Sequence, residues 1–430
     1  MCKKSIIALL TVLPLLFACG NPPRKTDAVR EERRSPELIA AVPSDALAVI
    51  CYDRLSEGMR LFDSTSVLQQ LNLTAFKNAK MALSLCYNGS LVPVLALDAG
   101  RAEADSISAV NTLLAQAATL RLQAEYVRPD PEAKRRGMVI ITPSDAQLTA
   151  VRRHLTEYTS ILDAPGFRQA LAAAAGGQDF IIFRGGGAPE RLAPKGWLQE
   201  FFPRRELTRF LGTVADWTVL TPADDGFAVA PVCESDDVFY ANILASLPFG
   251  DSRLGAVLPD TVRFALAMPV TLPDHRKAVE RWQDASVKLT AYQKQLAALR
   301  KESGKDPLKW EQEVDVREVA LVHFGGGVVA LVRPAKPATE REPYENPRRG
   351  FLPALYGNAF ALADDSCTAC SRGWQIYGSP EAVEAFIAAE RPEDPVLNWP
   401  GKGCRFIIHQ PGKTLAWGKK GIKLIWNSTQ

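Results

Sequence analysis

The sequence predicts an α+β protein of two similar units, each an antiparallel-rich sheet with helices packed on it. Three observations carry that expectation. Runs rich in Val, Ile and Leu recur in pairs around glycine-containing turns, at 82–98, 217–232, 318–334 and 414–427. Stretches with helical spacing of apolar residues separate those pairs. Short segments of the first half also return, in the same order, in the second.

The elements justify themselves in chain order. "AVPSDALAVICY" at 41–52 is matched by "AVLPDTVRFALA" at 256–267, each predicting an opening strand, over 46–52 and 261–268. The hairpin "ALSLCYNGSLVPVLALD" is matched by "EVALVHFGGGVVALVRP". Three consecutive glycines invite comparison with a phosphate-binding loop, but such a loop leads from a strand into a helix. Gly325, Gly326 and Gly327 lead into a second strand closed by Pro334, so they read as a turn. "MVIITPSDAQLTAV" at 138–151 pairs with "WQIYGSPEAVEAFI" at 374–387. Thr142-Pro143 and Ser379-Pro380 each predict a hydroxyl cap followed by proline at the first helical position. Leu148, Val151 and Leu155 then form a stripe to be buried, as do Val383, Phe386 and Ile387. "DFIIFR" at 179–184 resembles "RFIIHQ" at 405–410, and the closing hairpins at 217–232 and 414–427 complete the series. The division expected is 38–250 and 251–430, with helices on one face of each sheet.

The second unit carries a long helical insertion. From 273 to 301 no glycine or proline follows the first residue, and Trp282, Leu289, Tyr292 and Leu296 share one face. A continuous helix of that length reaches about 40 Å. It either lies over its own sheet or projects to meet a protein partner.

The N-terminus reads MCKKSIIALLTVLPLLFACGN. Lys3 and Lys4 precede an apolar stretch too short to span a bilayer, and Leu16-Phe17-Ala18-Cys19 follows. These residues resemble the lipobox of bacterial lipoproteins. The resemblance implies a signal peptide over 1–18, cleavage before Cys19, and lipid attachment to Cys19 by acyl chains such as palmitate. Gly20 and Asn21 follow without an aspartate at the second position, which implies the outer membrane, with the body facing the periplasm more readily than the cell surface. Residues 19–37 are charged, carry three prolines and few apolar residues, and read as a flexible tether. The body, with its proline-marked strand opening and "TPSD" helix start, looks like exported bacterial lipoproteins with domains of unknown function. That likeness implies no particular activity.

Composition narrows the function classes. A net charge of +3 with interspersed signs argues against a dedicated nucleic-acid binder. Six cysteines beyond Cys19 are too few for a disulfide scaffold in a body this large. The four histidines show no metal-binding spacing, so neither a metal nor a cofactor is expected. Cys367 and Cys370 form a CxxC pair in what reads as a loop: a local disulfide, plain thiols, a redox couple or half of a metal site. Trp417, Trp426, Lys419 and Lys420 mark a basic final hairpin. Such lysines guard a sheet edge against pairing, or with the tryptophans contact a glycan or small ligand. The function expected is a lipid-anchored envelope protein in a non-catalytic binding or scaffolding role. The alternative is a glycan- or small-ligand-binding lipoprotein beside surface uptake machinery; an enzyme is the third reading.

Overall fold

A computed structural model describes residues 38–58, 70–100, 104–129, 136–157, 159–174, 179–192, 212–223, 226–233, 239–391 and 399–426. Helices and strands are mixed, and the strands form one antiparallel sheet of 17. The first half supplies β1 (Ala48–Tyr52), β2 (Met81–Tyr87), β3 (Leu91–Gly100), β4 (Gln123–Val127), β5 (Gly137–Thr142), β6 (Phe180–Arg184), β7 (Trp217–Ala223) and β8 (Gly226–Val232). The second supplies β9 (Phe264–Pro269), β10 (Val316–Phe324), β11 (Gly327–Pro334), β12 (Arg341–Glu345), β13 (Cys367–Ser371), β14 (Trp374–Gly378), β15 (Cys404–Gln410), β16 (Lys413–Gly418) and β17 (Gly421–Trp426).

The pairings place these strands in the order β4-β5-β3-β2-β1-β6-β7-β8-β17-β16-β15-β9-β10-β11-β14-β13-β12. Open twisted sheets seldom exceed about ten strands. Here the number is reached because two sheets of ordinary size meet edge to edge at β8 and β17. At that seam Phe227 faces Leu424, Val229 faces Ile422, and Ala228 faces Lys423 between them. The final hairpin is therefore not an edge: its outer strand is paired, and the edge-guard reading of its lysines is corrected.

Helices cover both faces of the sheet rather than one. This is why strand β1 is buried along its whole length instead of alternating. Val49 and Cys51 pack into one core with helices α2 (Asp145–Glu157) and α3 (Phe167–Ala174); Ile50 and Tyr52 pack into the opposite one with α1 (Ala104–Thr119). A short helix, α4 (Ala188–Leu192), closes one end of this half over Leu47 and Ala48. In the second half Ala265 and Ala267 lie under α10 (Pro380–Ala388). Phe264, Leu266 and Met268 meet a helical layer of α5 (Tyr240–Ser246), α6 (Leu272–Ala285), α7 (Leu289–Ser303), α8 (Pro307–Val314) and α9 (Phe351–Tyr356). Helix α5 precedes residue 251 but packs wholly into this second core, through Tyr240, Ile243 and Leu244.

The glycine triplet is the tip of the β10–β11 hairpin, with Phe324 paired to Gly327. A side chain on Gly326 would come within 2.6 Å of Ala385 on α10, so glycine there permits close helix–sheet approach. One expected cap shifts. Ser379 caps α10 as predicted, accepting from the Ala382 N–H. In the first half Ser144, not Thr142, accepts from the Gln147 N–H at 3.3 Å, and Pro143 lies outside the helix.

The long insertion is not one helix. It breaks between α6 and α7 at Val287, which has φ 56° and is 93% exposed. A β-branched residue in the left-handed region is strained by about 1–2 kcal/mol. Val287→Gly is accordingly expected to stabilise the protein by about 0.5–1 kcal/mol, once the greater freedom of glycine in the unfolded chain is deducted. A melting temperature at or below that of the parent would refute the strain.

Candidate functional site

The residues singled out in the sequence do not converge. Cys367 and Cys370 lie in strand β13 rather than a loop, and both thiols are free. Three strand steps separate their Cα atoms by about 10 Å and put the side chains on opposite faces, beyond the reach of a disulfide. Burial pushes both thiols up from the ordinary cysteine range, which disfavours the reactive thiolate. Cys51 and Cys86 lie in the neighbouring strands β1 and β2 but out of register, Cys51 opposite Ala82 and Cys86 opposite Val92 on β3, and both are buried and free.

On the insertion, Trp282 packs edge-on against Tyr240 with ring centroids 5.5 Å apart, Leu296 packs against the same core, and Tyr292 is buried. Leu289, at the start of α7, is half-buried. These apolar groups hold the insertion to its own sheet. On the last hairpin Trp417 is half-buried with the Arg405 guanidinium 5.7 Å from its ring, and Lys419 and Lys420 are exposed. The backbone of Trp426 pairs with Lys413, but its side chain lies outside the described residues, as do Cys19 and the whole segment before residue 38.

Two buried carboxylates form closed networks. Glu318, fully buried on β10, accepts from Ser252 Oγ, from the Arg253 N–H at 2.9 Å and from Arg333 Nε at 3.0 Å. Trp399 Nε1 donates to the same Ser252 Oγ at 3.1 Å. Glu311 on α8 accepts from Tyr356 OH at 2.7 Å and Arg276 Nη2 at 2.9 Å. Burial raises the carboxyl pKa in both cases and their donors only partly oppose it. His275 lies beside Tyr356 with ring centroids 5.1 Å apart, and its Nε2 has no partner among the described residues. The Glu318 network fastens the 251–254 loop to the sheet, the Glu311 network ties α6, α8 and α9 to one another, and every carboxylate oxygen is committed to these bonds.

An open site lies elsewhere, at the end of the second-half sheet beside the glycine hairpin. A cleft of about 720 Å³ is lined by Arg263, His323, Gln410 and Lys413 around a floor of Phe264, Phe324 and Val328. Its size falls within the ordinary range for small-ligand sites. Each polar group has a fixed origin. Arg263 immediately precedes β9, and its N–H donates to the His323 carbonyl at 2.8 Å. His323 is the penultimate residue of β10 and stands edge-on to Phe264, ring centroids 5.3 Å apart. Gln410 and Lys413 flank the tight β15–β16 turn. Gly325 and Gly327 form part of the wall, where bare backbone keeps the entrance wide. Arg263 and Lys413 bring basic side chains to this lining, and His323 and Gln410 add further polar atoms. Such an arrangement offers polar groups at its rim and an apolar surface at its floor. Sequence reading placed His323 inside a strand and Lys413 in the basic hairpin, and missed Arg263 and Gln410 altogether.

Among the described residues no cluster of His, Cys, Asp or Glu could hold a metal ion, and no helix is long and apolar enough to cross a membrane. The chain matches no protein-family model, no curated protein and no solved structure.

Proposed function

We propose that the protein is a lipid-anchored envelope protein with a non-catalytic binding role, its body built from two copies of one α+β unit. The cleft beside the glycine hairpin carries the binding part of this reading: it is open, of ligand size, and combines polar rim groups with an apolar floor. The duplicated build is supported by strand order. Counted outward from the β8–β17 seam, each half runs through a hairpin, a returning strand, the opening strand and then a long hairpin. The seam register is self-complementary, as an interface between two equivalent edges must be. On this reading the second unit starts before Tyr240 rather than at residue 251, since α5 belongs to its core.

The anchor rests on the lipobox resemblance around Cys19, and acyl chains contribute about 0.8 kcal/mol per buried CH₂. The glycan alternative draws less support, because Trp417 is half-buried against its own core rather than presented as a platform. Cys19→Ala is expected to move the full-length protein from the membrane fraction to the soluble fraction. Retention on membranes after that change would remove the anchor from the reading. Protease treatment of intact and permeabilised cells then reports which side the body faces; the expectation is protection until the outer membrane is opened.

A further inference from the structure

Helix α7 turns Tyr292, Leu296 and Leu299 to the second-half core. At about 100° per residue, Lys294 and Lys301 then stand on the opposite side, two turns and about 10 Å apart. Both are exposed, as are the short side chains of Ala291 and Ala298 beside them. Lys288, at the N-cap of the helix, is exposed as well. None of these three lysines has an acidic partner among the described residues. Arg300 and Lys305 differ: Arg300 lies 3.8 Å from Asp306, and Lys305 2.6 Å from Glu313. From Ser286 to Lys301 the chain carries four basic residues and no acidic one, with Asp284 and Glu302 flanking the stretch. Val287 stands at its head, 93% exposed and held at φ 56°. A single exposed valine is ordinary on a protein surface. One held where glycine would sit without strain calls for a use of its side chain.

We infer that Val287 and the outer lysines of α7 form a contact for an anionic bilayer surface. The valine enters the interface, and Lys288, Lys294 and Lys301 meet lipid phosphates. An apolar tip ringed by unpaired cations fits such a surface on both counts: its acyl boundary buries the valine, and its charge complements the lysines. The inference rests on the lipid-anchored reading of the protein. The segment from Cys19 to Leu38 extends at most about 70 Å, which keeps the body beside the membrane. A lysine near an anionic surface strengthens binding about fivefold, so three give about a hundredfold. That is too little to hold a detached protein on washed membranes. It is enough to orient a tethered one, whose effective concentration at the bilayer is already about millimolar.

The test is lysine acetylation of the full-length protein, purified from membranes and reconstituted into vesicles of phosphatidylcholine alone or with about one-third phosphatidylglycerol. Mass spectrometry reads each site, with Lys77 and Lys80, exposed in the first half, as the internal reference. Lys294 and Lys301 are expected to react about fivefold more slowly on the anionic vesicles than on the neutral ones, and to recover in high salt. Val287→Gly should lose most of that protection while melting above the parent, a pairing of effects that a merely structural valine would not produce. The double variant Lys294→Gln, Lys301→Gln should leave Lys288 equally reactive on both vesicles, with the melting temperature unchanged. Lysines equally reactive on both vesicles, or protection that survives in both variants, overturns the inference and leaves the anchor in place. A protein that floats with neither vesicle removes the anchor, and the inference with it.

Discussion

Alanine at Glu318 is expected to destabilise the protein by about 3–5 kcal/mol, the usual cost of removing one partner of a buried ion pair. Glu318 is fully buried, and its two oxygens serve Ser252, the Arg253 N–H and Arg333 together. Truncation strands all three donors at once. Arg333 is 19% exposed and regains water only in part, while Ser252 is buried. The carboxylate also fixes the 251–254 loop that leads into β9, so the loss spreads to the strand joining β10 to β15. Glu318→Gln keeps an acceptor for Ser252 and should cost less than alanine. Urea unfolding of the three proteins at pH 7 decides it; alanine and glutamine costing equally little, under about 1 kcal/mol, would show that the network adds nothing.

Acid should destabilise the protein through two buried histidines. Burial, helped by the neighbouring charge of Arg276, pushes His275 down to about 4; burial pushes His409 down to about 4. An unfolded histidine titrates near pH 6.5. Above that value both states are neutral and the buried rings contribute fully. As pH falls from about 6.5 towards 4 the unfolded chain takes up protons that the folded chain refuses, and stability is lost through that window. Each histidine accounts for up to about 3 kcal/mol, at roughly 1.4 kcal/mol per unit. Glu311 and Glu318 act in the opposite sense. Their raised folded values mean that the folded state binds a proton more readily, so their contribution grows as pH falls below those values. His275→Phe separates the effects: it keeps a ring against Tyr356, removes the unpartnered Nε2 and removes the titration. The drop in unfolding free energy between pH 7 and pH 4.5 should shrink by about 2–3 kcal/mol in this variant. An unchanged drop would clear His275 of any part in acid sensitivity.

Local chemistry made much of the fold legible. Glycine-containing turns between apolar runs are encoded within a dozen residues, so the hairpins at 82–98, 217–232, 318–334 and 414–427 all form where expected. Strand β13 was not legible, because "CTACS" lacks the long aliphatic side chains that mark a strand. Its strand state comes from pairing on both sides, with β12 and β14. The break at Val287 was hidden for a related reason. No glycine or proline announces it, and the chain bends there so that Trp282 and Leu296 can both reach the core.

Register shows where sequence stops and tertiary structure takes over. Aligning "AVPSDALAVICY" with "AVLPDTVRFALA" sets Val49 against Phe264. Val49 faces the core beneath α2 and α3, and in the second half the core beneath α10 receives Ala265 instead. If the halves are copies, that alignment is one residue out, and in a strand one residue exchanges the two faces. Where both faces are buried, apolar residues run on without alternation, so the sequence carries no mark of which face is which. The sequence by itself determined the antiparallel hairpins and their order, because turn propensity and hydrophobic runs are local. Only the tertiary structure decided which faces are covered, how the insertion folds back, and that Arg263, His323, Gln410 and Lys413 meet in one cleft. Those four residues come from separate strand ends, and only the pairing of β9 with both β10 and β15 brings them within reach of one ligand.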